Sequence, residues 1–503
     1  MKNLRLPYDQ LVPILLGCGF AAVYLTTMAP GLTWANYGSD GGDLIAAAAT
    51  GGVAHPNGYP LYLLIAQFFQ LIPIGSLAYR TNLMSGAAMT AAALLVYGSV
   101  TRFLSGRMKS SSRLPGLISG CAFGLAPLVW SQAIITEVYA LQAFFIALIF
   151  YLCTGPASAR RDRLCGLVLG LALGTHLTTI LLTPIILFAN AICKRMPDNP
   201  AGPFRNSRWR DYRLDGKSLL RQFTFLWAGS LIYLILPLRA SSHPPVNWGN
   251  VVTPQRFWWL VSGQLYQTDF SGFVIPALWG RVQAWAALFL GQFGLVGLIL
   301  GLMGLVVFFY PTRLHLITLW AVIVFSAFAI VYDTSDSFVY LIPAILSFAI
   351  WIGLGMDGLR NAVSRRWPGL GWIIGVVFLM YLFGLSFYNW PRVDASHDLR
   401  AERFGLEIMS AAPAHAILFT NGDRAIFTLW YFHYALHERP DIVVVANDLL
   451  PFDWYRGLLQ STYPDLVLTD PAGKPWFTAI SEANSSRPVC FLYDAEAVEV
   501  DCR

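Results

Sequence analysis

The sequence predicts an all-α polytopic membrane domain followed by a small soluble α/β domain, and three observations predict it. Of 503 residues, 56% are hydrophobic and 12% charged, a charged share about half that of an ordinary soluble domain. The apolar residues fall in long continuous runs rather than the alternation of barrel strands, and mean hydropathy is +0.54. From Asn389 the apolar runs shrink and charges become frequent. The boundary is therefore drawn between a membrane domain at 1–388 and a soluble domain at 389–503.

Taken in order, Lys2 and Arg5 precede an apolar run, Leu11–Ala29, that reads as a retained first helix leaving the cytoplasm rather than a cleaved leader. An acidic loop at 30–60 follows. Leu61–Ile72 is too short to cross and ends at Pro73, so it reads as a re-entrant or juxtamembrane helix under that loop. Asn82–Leu104 returns inward to a basic loop carrying Arg107, Lys109 and Arg113. Leu114–Trp130 goes out and Val138–Cys153 comes back to the Arg160–Arg163 cluster. Leu164–Thr175 and Leu177–Cys193 form a hairpin with His176 at its outer tip, and Lys194–Arg221 is the longest basic loop. Phe223–Leu238 leads to a second long outer segment, Arg239–Arg281, whose P-P-V-N-W-G stretch is a turn by its Pro and Gly content. Val282–Phe309, Leu316–Tyr332, Phe338–Met356 and Gly371–Tyr388 complete a total of about eleven crossings, with the N-terminus inside and the C-terminus outside. In the tail, Ala416–Thr420, Arg424–Leu436 and Ile442–Ala446 read as strand, helix and strand, a parallel pair with its crossover.

The net charge of +6 resides mostly in short loops between apolar runs, which is an orientation signal and not a nucleic-acid one, and the 17 Trp suit interfacial belts. No C-x-x-C motif argues for a zinc or iron–sulfur centre. Cys490 and Cys502 stand alone in the polar tail, where an extracytoplasmic location would let them pair. The sequence has no P-loop and no G-x-S-x-G elbow, and no glycine motif set between a strand and a helix as a dinucleotide fingerprint requires, so nucleotide hydrolysis is not expected to drive its work.

The chemistry concentrates in Tyr37–Tyr62. Asp40 and Asp43 lie there among glycines, followed by His55-Pro56-Asn57-Gly58-Tyr59-Pro60. Carboxylates at a membrane edge are costly and functional by default. Transfer of a sugar from a phosphate leaving group needs a carboxylate to take the acceptor's proton and donors for the departing phosphate. Asp40 and Asp43 are the candidate carboxylates; the alternative is an ordinary helix start, with Asp40 as N-cap and Asp43 at its third position. His55, with Asn57 and Tyr59 of the same turn, is a candidate substrate contact, as are Glu137, His176, Asn247, Trp248 and Asp333 with its neighbour Asp336. Arg239, at a span's outer end, is a candidate phosphate ligand or a snorkelling side chain.

The stretches G-S-D-G-G-D-L-I-A-A-A, G-V-A-H-P-N-G-Y-P-L-Y, R-T-N-L-M-S, P-L-V-W, E-V-Y-A-L, T-H-L-T, L-P-L-R and N-W-G resemble the GT-C class of integral-membrane glycosyltransferases. More narrowly, they look like a family of bacterial inner-membrane proteins and an endoplasmic-reticulum protein O-mannosyltransferase. The tail stretches G-D-R-A-I-F-T-L-W-Y and R-P-D-I-V-V-V are similar to bacterial members. The resemblance implies a polyprenyl-phosphate sugar as donor and Asp40 as catalytic base, with Asp43 standing where the family more often has Glu. It implies transfer of mannose or another hexose to a protein Ser/Thr hydroxyl or an envelope glycan, at the periplasmic face of the inner membrane. The partners expected are the lipid-linked donor, the acceptor and membrane lipid, with no nucleic acid; no cofactor is required by the motif, and divalent-metal dependence is open. The competing readings are a lipid or solute transporter, with Asp40, Glu137 and His176 along an ion path, and a non-enzymatic envelope-assembly scaffold.

Overall fold

The computed structural model describes residues 8–106, 113–194, 212–270, 275–307, 312–471, 473–492 and 500–502. Most of these are helical. By length and composition six helices suffice to cross a membrane: Leu77–Ser105, Gly216–Ala240, Leu278–Val306, Arg313–Val331, Ser337–Ser364 and Leu370–Val393. A seventh span is reached if Arg113–Gly124 and Pro127–Ala133, bent by 67°, are taken as one. Pro127 opens the second half and, having no N–H, cannot continue the ladder of the first. The protein is thus a multi-pass membrane protein, but this criterion gives six or seven spans among the described residues, short of the eleven expected. Leu11–Thr27, Pro60–Gln70, Tyr139–Cys153 and Leu177–Ala191 are apolar but shorter. The loop-charge reading counted Leu11–Ala29, Val138–Cys153 and Leu177–Cys193 as spans; the first lies in a 20-residue helix, Tyr8–Thr27, about 30 Å long at 1.5 Å per residue, while a helix of 15 residues is about 22 Å long against a hydrocarbon core roughly 30 Å thick.

Pro60–Gln70, expected as a re-entrant or juxtamembrane helix, has 11 residues and packs against Leu77–Ser105. Ala159–Leu173 and Gly216–Ser230 make the most extensive helix contact. A Cβ on Gly170 would lie 2.1 Å from the Leu226 carbonyl oxygen, so the backbones approach as only small residues permit. The Arg160–Arg163 cluster is the first turn of that helix and not a loop. Arg161 is buried against Asp162 at 3.0 Å, and Asp162 also receives Arg221 at 2.7 Å. Arg107, Lys109 and the middle of the Lys194–Arg221 loop lie outside the described residues.

The C-terminal sheet has four strands in the order Val443–Ala446, Ile417–Thr420, Val489–Leu492, Val500–Cys502. The first three run parallel and the last antiparallel. The expected strand–helix–strand unit is present: Asp423–Trp430, continued by a π turn at Tyr431–Ala435, joins the two predicted strands. Cys490 and Cys502 face each other across the last pair and are bonded as a disulfide.

This sheet unit is docked on the loop at 30–60. The Asp398 Oδ2 accepts from Thr33 Oγ1 at 2.6 Å, Trp34 N at 3.1 Å and Ala35 N at 2.7 Å. Glu402 accepts from Leu32 N at 3.0 Å, and Trp34 Nε1 donates to Thr428 Oγ1 at 3.2 Å. Two acids of the tail thereby satisfy a run of loop N–H groups that secondary structure leaves unpaired.

Candidate active site

Asp40 immediately precedes the helix Gly41–Ala49, in the N-cap position, yet its side chain makes no capping bond. It accepts from Ser39 Oγ at 3.1 Å and is 30% exposed at the side chain. Asp43, one turn on, is fully buried. Its Oδ2 accepts from the His55 backbone N at 2.9 Å and faces His55 Nδ1 at 2.7 Å, and its Oδ1 accepts from Trp248 Nε1 at 3.0 Å. Neither carboxylate is therefore the helix cap that composition alone would suggest. The His55 Nε2 lies 3.5 Å from Asp40 Oδ2, so one imidazole bridges the two acids.

The turn that brings His55 back depends on its backbone. Gly58 sits at φ +79°, and a Cβ there would meet Leu260 and Leu236. Tyr59 holds the left-handed region at φ 42° and ψ 51°, where a bulky residue is strained, and Pro60 then opens the next helix. The segment that follows Arg239 closes on this turn: Val53 N donates to the Val246 carbonyl at 2.9 Å and Trp248 N to the Val53 carbonyl at 3.2 Å. That short bridge carries Trp248 onto Asp43.

A cavity of about 650 Å³ opens in front of Asp40. His55, Asn57, Tyr59 and His176 line it, as the sequence suggested. Asn57 also donates to the Val261 carbonyl at 3.1 Å. The Nδ1 of His176 accepts from Thr178 N at 3.2 Å, and burial together with the nearby His55 holds the ring neutral, down to about 3. Asp336 lines the cavity, but Asp333 does not: it pairs with Arg281 at 3.1 Å on the surface.

Four further expected contacts are placed elsewhere. Arg239 is buried and spent on the Gly52 carbonyl and Gln67 Oε1, tying a helix end to the first loop instead of facing the cavity. Asn247 donates to the Ala240 carbonyl at 3.2 Å, and Trp248 reaches Asp43 and not the cavity. Glu137 is buried behind the loop, where the N–H groups of Val138 and Asp40 face its carboxyl; burial, then the Asp40 and Asp336 charges, push it well above the usual range. These side chains shape and support the cavity wall.

The tail supplies what sequence reasoning missed. Asp423 and Arg424, at the start of Asp423–Trp430, line the cavity. Arg424 is the one Arg or Lys among its described lining residues. Asp423 is pushed up to about 6 by enclosure and by Asp40, with His55 opposing. The signal was present: both residues follow the carboxyl end of a parallel strand, where open α/β sheets place their ligand sites. Tyr139, Tyr266, Tyr332 and Tyr340 add to the aromatic wall with Tyr37 and Phe328; each of the four tyrosines reads as interface anchoring when only its run is seen. Among the described residues no group of three or more His, Cys, Asp or Glu is arranged to hold a metal ion.

Comparison with known proteins follows the same two pieces. A family model described as the protein O-mannosyl-transferase TMEM260 N-terminal domain matches residues 40–197, and one described as TMEM260-associated domain 2 matches 401–463. Similar proteins include the mouse protein O-mannosyl-transferase TMEM260, 27% identical over 470 residues, covering 86% of this chain and 62% of the mouse protein. A Dictyostelium discoideum protein of the same description is 22% identical, covering 88% of this chain and 58% of that one. The chain thus spans less than two thirds of the length of these relatives. Among solved structures, ArnT from Cupriavidus metallidurans bound to undecaprenyl phosphate superposes with a TM-score of 0.58 at 12% identity, covering 96% of this chain and 93% of that one. An Archaeoglobus fulgidus oligosaccharyltransferase, in complex with Zn and sulfate, gives 0.52 at 11% identity, covering 86% and 62%. The chain has the GT-C fold of integral-membrane glycosyltransferases.

Proposed function

We propose that the chain is a GT-C glycosyltransferase of the protein O-mannosyltransferase kind. It moves a sugar, mannose or another hexose, from a polyprenyl-phosphate carrier to a hydroxyl of a protein Ser/Thr or an envelope glycan. The observation that carries this reading is the partly exposed Asp40 carboxylate, the one acid of the loop that lines the cavity, in a cavity that an arginine also lines. Support comes from the names of the mouse and Dictyostelium relatives and from the undecaprenyl phosphate held by the structural neighbour ArnT.

The step is a single displacement. Asp40 takes the proton of the acceptor hydroxyl as its oxygen bonds the anomeric carbon. The bond from that carbon to the phosphate oxygen breaks, its electron pair leaves with the phosphate, and the configuration inverts. Arg424 is the cation placed to bind that phosphate, through a guanidinium fork that suits its oxygens. The apolar lining residues Leu177, Ile180, Leu181 and Phe328 suit the first isoprenes of the carrier. On this reading the cavity opens on the periplasmic side of an inner membrane, together with the disulfide-bonded tail. A disulfide in that compartment is stable.

The test gives purified protein in lipid a panel of polyprenyl-phosphate sugars with peptide and glycan acceptors. Release of polyprenyl phosphate coupled to acceptor glycosylation is expected for one donor. Uptake of an ion or lipid without sugar transfer would replace this reading with a transporter.

A further inference from the structure

We propose that His55 is a positioning residue that holds the Asp40 carboxylate ready for proton transfer, clamped in turn by the buried Asp43. The inference deepens the transferase reading and rests on it. An ionised Asp43 has only acceptors, so the 2.7 Å contact requires the proton on His55 Nδ1. The other nitrogen, Nε2, is 3.5 Å from Asp40 Oδ2. If the ring were neutral, Nε2 would turn a lone pair towards a carboxylate. The arrangement is satisfied when Nε2 also carries a proton and the imidazolium lies between two acids, with one net negative charge for the trio.

The surroundings fix the ring in that pose. Phe427 of the tail stacks on it at 6.0 Å and 16°, and Tyr59 meets it edge-on at 5.0 Å. The His55 backbone N–H is held by the same Asp43 oxygen as its ring. The clamp therefore has a floor from the first loop and a lid from the C-terminal domain. With its ring spent on two carboxylates, His55 has no nitrogen left for the substrate, although it lines the cavity. This separates it from the substrate-contact role that its sequence position suggested.

The charged and titratable groups facing the pair come from every neighbouring element. Asp43 lies on the same helix as Asp40, and Asp423 and Arg424 come from the tail. Asp336 stands at the outer end of a span, Glu137 behind the loop, and Tyr59, Tyr266 and the neutral His176 complete the wall. Burial pushes Asp40 up, Asp336 and Asp43 add to it, and His55 is the cation that opposes them. Burial acts to lower His55, and the two aspartates overcome it and raise the ring to about 9.

Two measurements test the clamp. The first is the pH profile of kcat for wild type, His55→Gln, Asp43→Asn and the double variant, with donor KM measured alongside. Losing the cation is expected to move the acid limb up by about one to two pH units, the usual effect of an opposite charge at this range. Donor KM should stay within about twofold, and the double variant should resemble the singles, because both break one clamp. An unmoved acid limb would overturn the proposal, and so would a raised donor KM with kcat unchanged. The second needs no turnover: histidine-labelled wild type in detergent is titrated by NMR, with the His55 signal identified by its absence in His55→Gln. An imidazolium persisting above pH 8 is expected, and a ring neutral at pH 7 would overturn the clamp. If wild type transfers no sugar from any donor, the transferase reading fails, while the titration still decides the charge on His55.

Discussion

Asp40 and Asp43 have the same side chain and occupy neighbouring turns, but their surroundings assign them different work. Asp43 is sealed from water and receives three donors, so its removal strands the His55 N–H, the His55 ring and the Trp248 indole. Asp43→Ala is expected to destabilise the protein by about 3–5 kcal/mol, the usual result of breaking a buried charge pair. It should lower expression and the thermal midpoint before any kinetic effect is read. Asp40→Asn keeps the shape and breaks no capping bond, since none is made. It should leave stability and donor binding near wild type and cost about 10²–10⁴-fold in transfer, the range for loss of a general base. A variant that turned over at the wild-type rate would remove Asp40 from the mechanism. The pH dependence of stability follows from His55. Its folded value of about 9 exceeds the ordinary 6.5, so the native state holds the proton more tightly. That stabilisation is complete below about pH 6.5 and is lost as the pH rises through about 9. Thermal unfolding should therefore occur at falling temperature between pH 6.5 and 9, with a flatter dependence in His55→Gln.

At the scale of elements, the decisive contact is between the loop helix Gly41–Ala49 and the tail helix Asp423–Trp430. A Cβ on Gly42 would lie 2.1 Å from the Phe427 carbonyl oxygen. That neighbour is backbone and cannot rotate away, so the two helices must part to admit a methyl group. Overpacking of this kind costs about 1–3 kcal/mol. Parting these helices also moves Phe427 off the His55 ring and shifts Asp423 and Arg424, which line the cavity beside it. Gly42→Ala is expected to lose most transfer activity while the transmembrane helices stay folded. Limited proteolysis would show the tail and the 30–60 loop becoming cleavable together. Transfer at the wild-type rate with the loop still protected would mean that the contact is dispensable.

For the whole molecule, the proposed orientation puts Asp40 and the tail on one side and the Lys217 region on the other. It predicts that Gln460→Cys is labelled by an impermeant maleimide in intact cells, while Lys217→Cys reacts only after lysis, both in a background lacking the exposed Cys18. The reverse pattern would invert the topology and move the disulfide into a reducing compartment.

The sequence by itself determined the fold class and several of the residues that line the cavity. Its charge content and unbroken apolar runs leave no soluble alternative, because so much apolar surface has no water-shielded place outside a bilayer. The composition shift was read at Asn389, which lies inside the helix Leu370–Val393, and the strands read at Ala416–Thr420 and Ile442–Ala446 are present as Ile417–Thr420 and Val443–Ala446. Asp40, His55, Asn57, Tyr59 and His176 were legible because polar groups at a membrane edge are expensive and local turns announce themselves in Gly and Pro. Tertiary structure alone decided how the work is divided. Burial and hydrogen bonding are properties of what packs against a residue, and the partners here are distant in sequence: Trp248 on Asp43, Phe427 on His55, Asp398 on the loop backbone. The same distance turned Arg239 away from the cavity and brought Arg424 into it. No local pattern marks which of two arginines a fold will bring to a cavity, because that depends on where the chain returns.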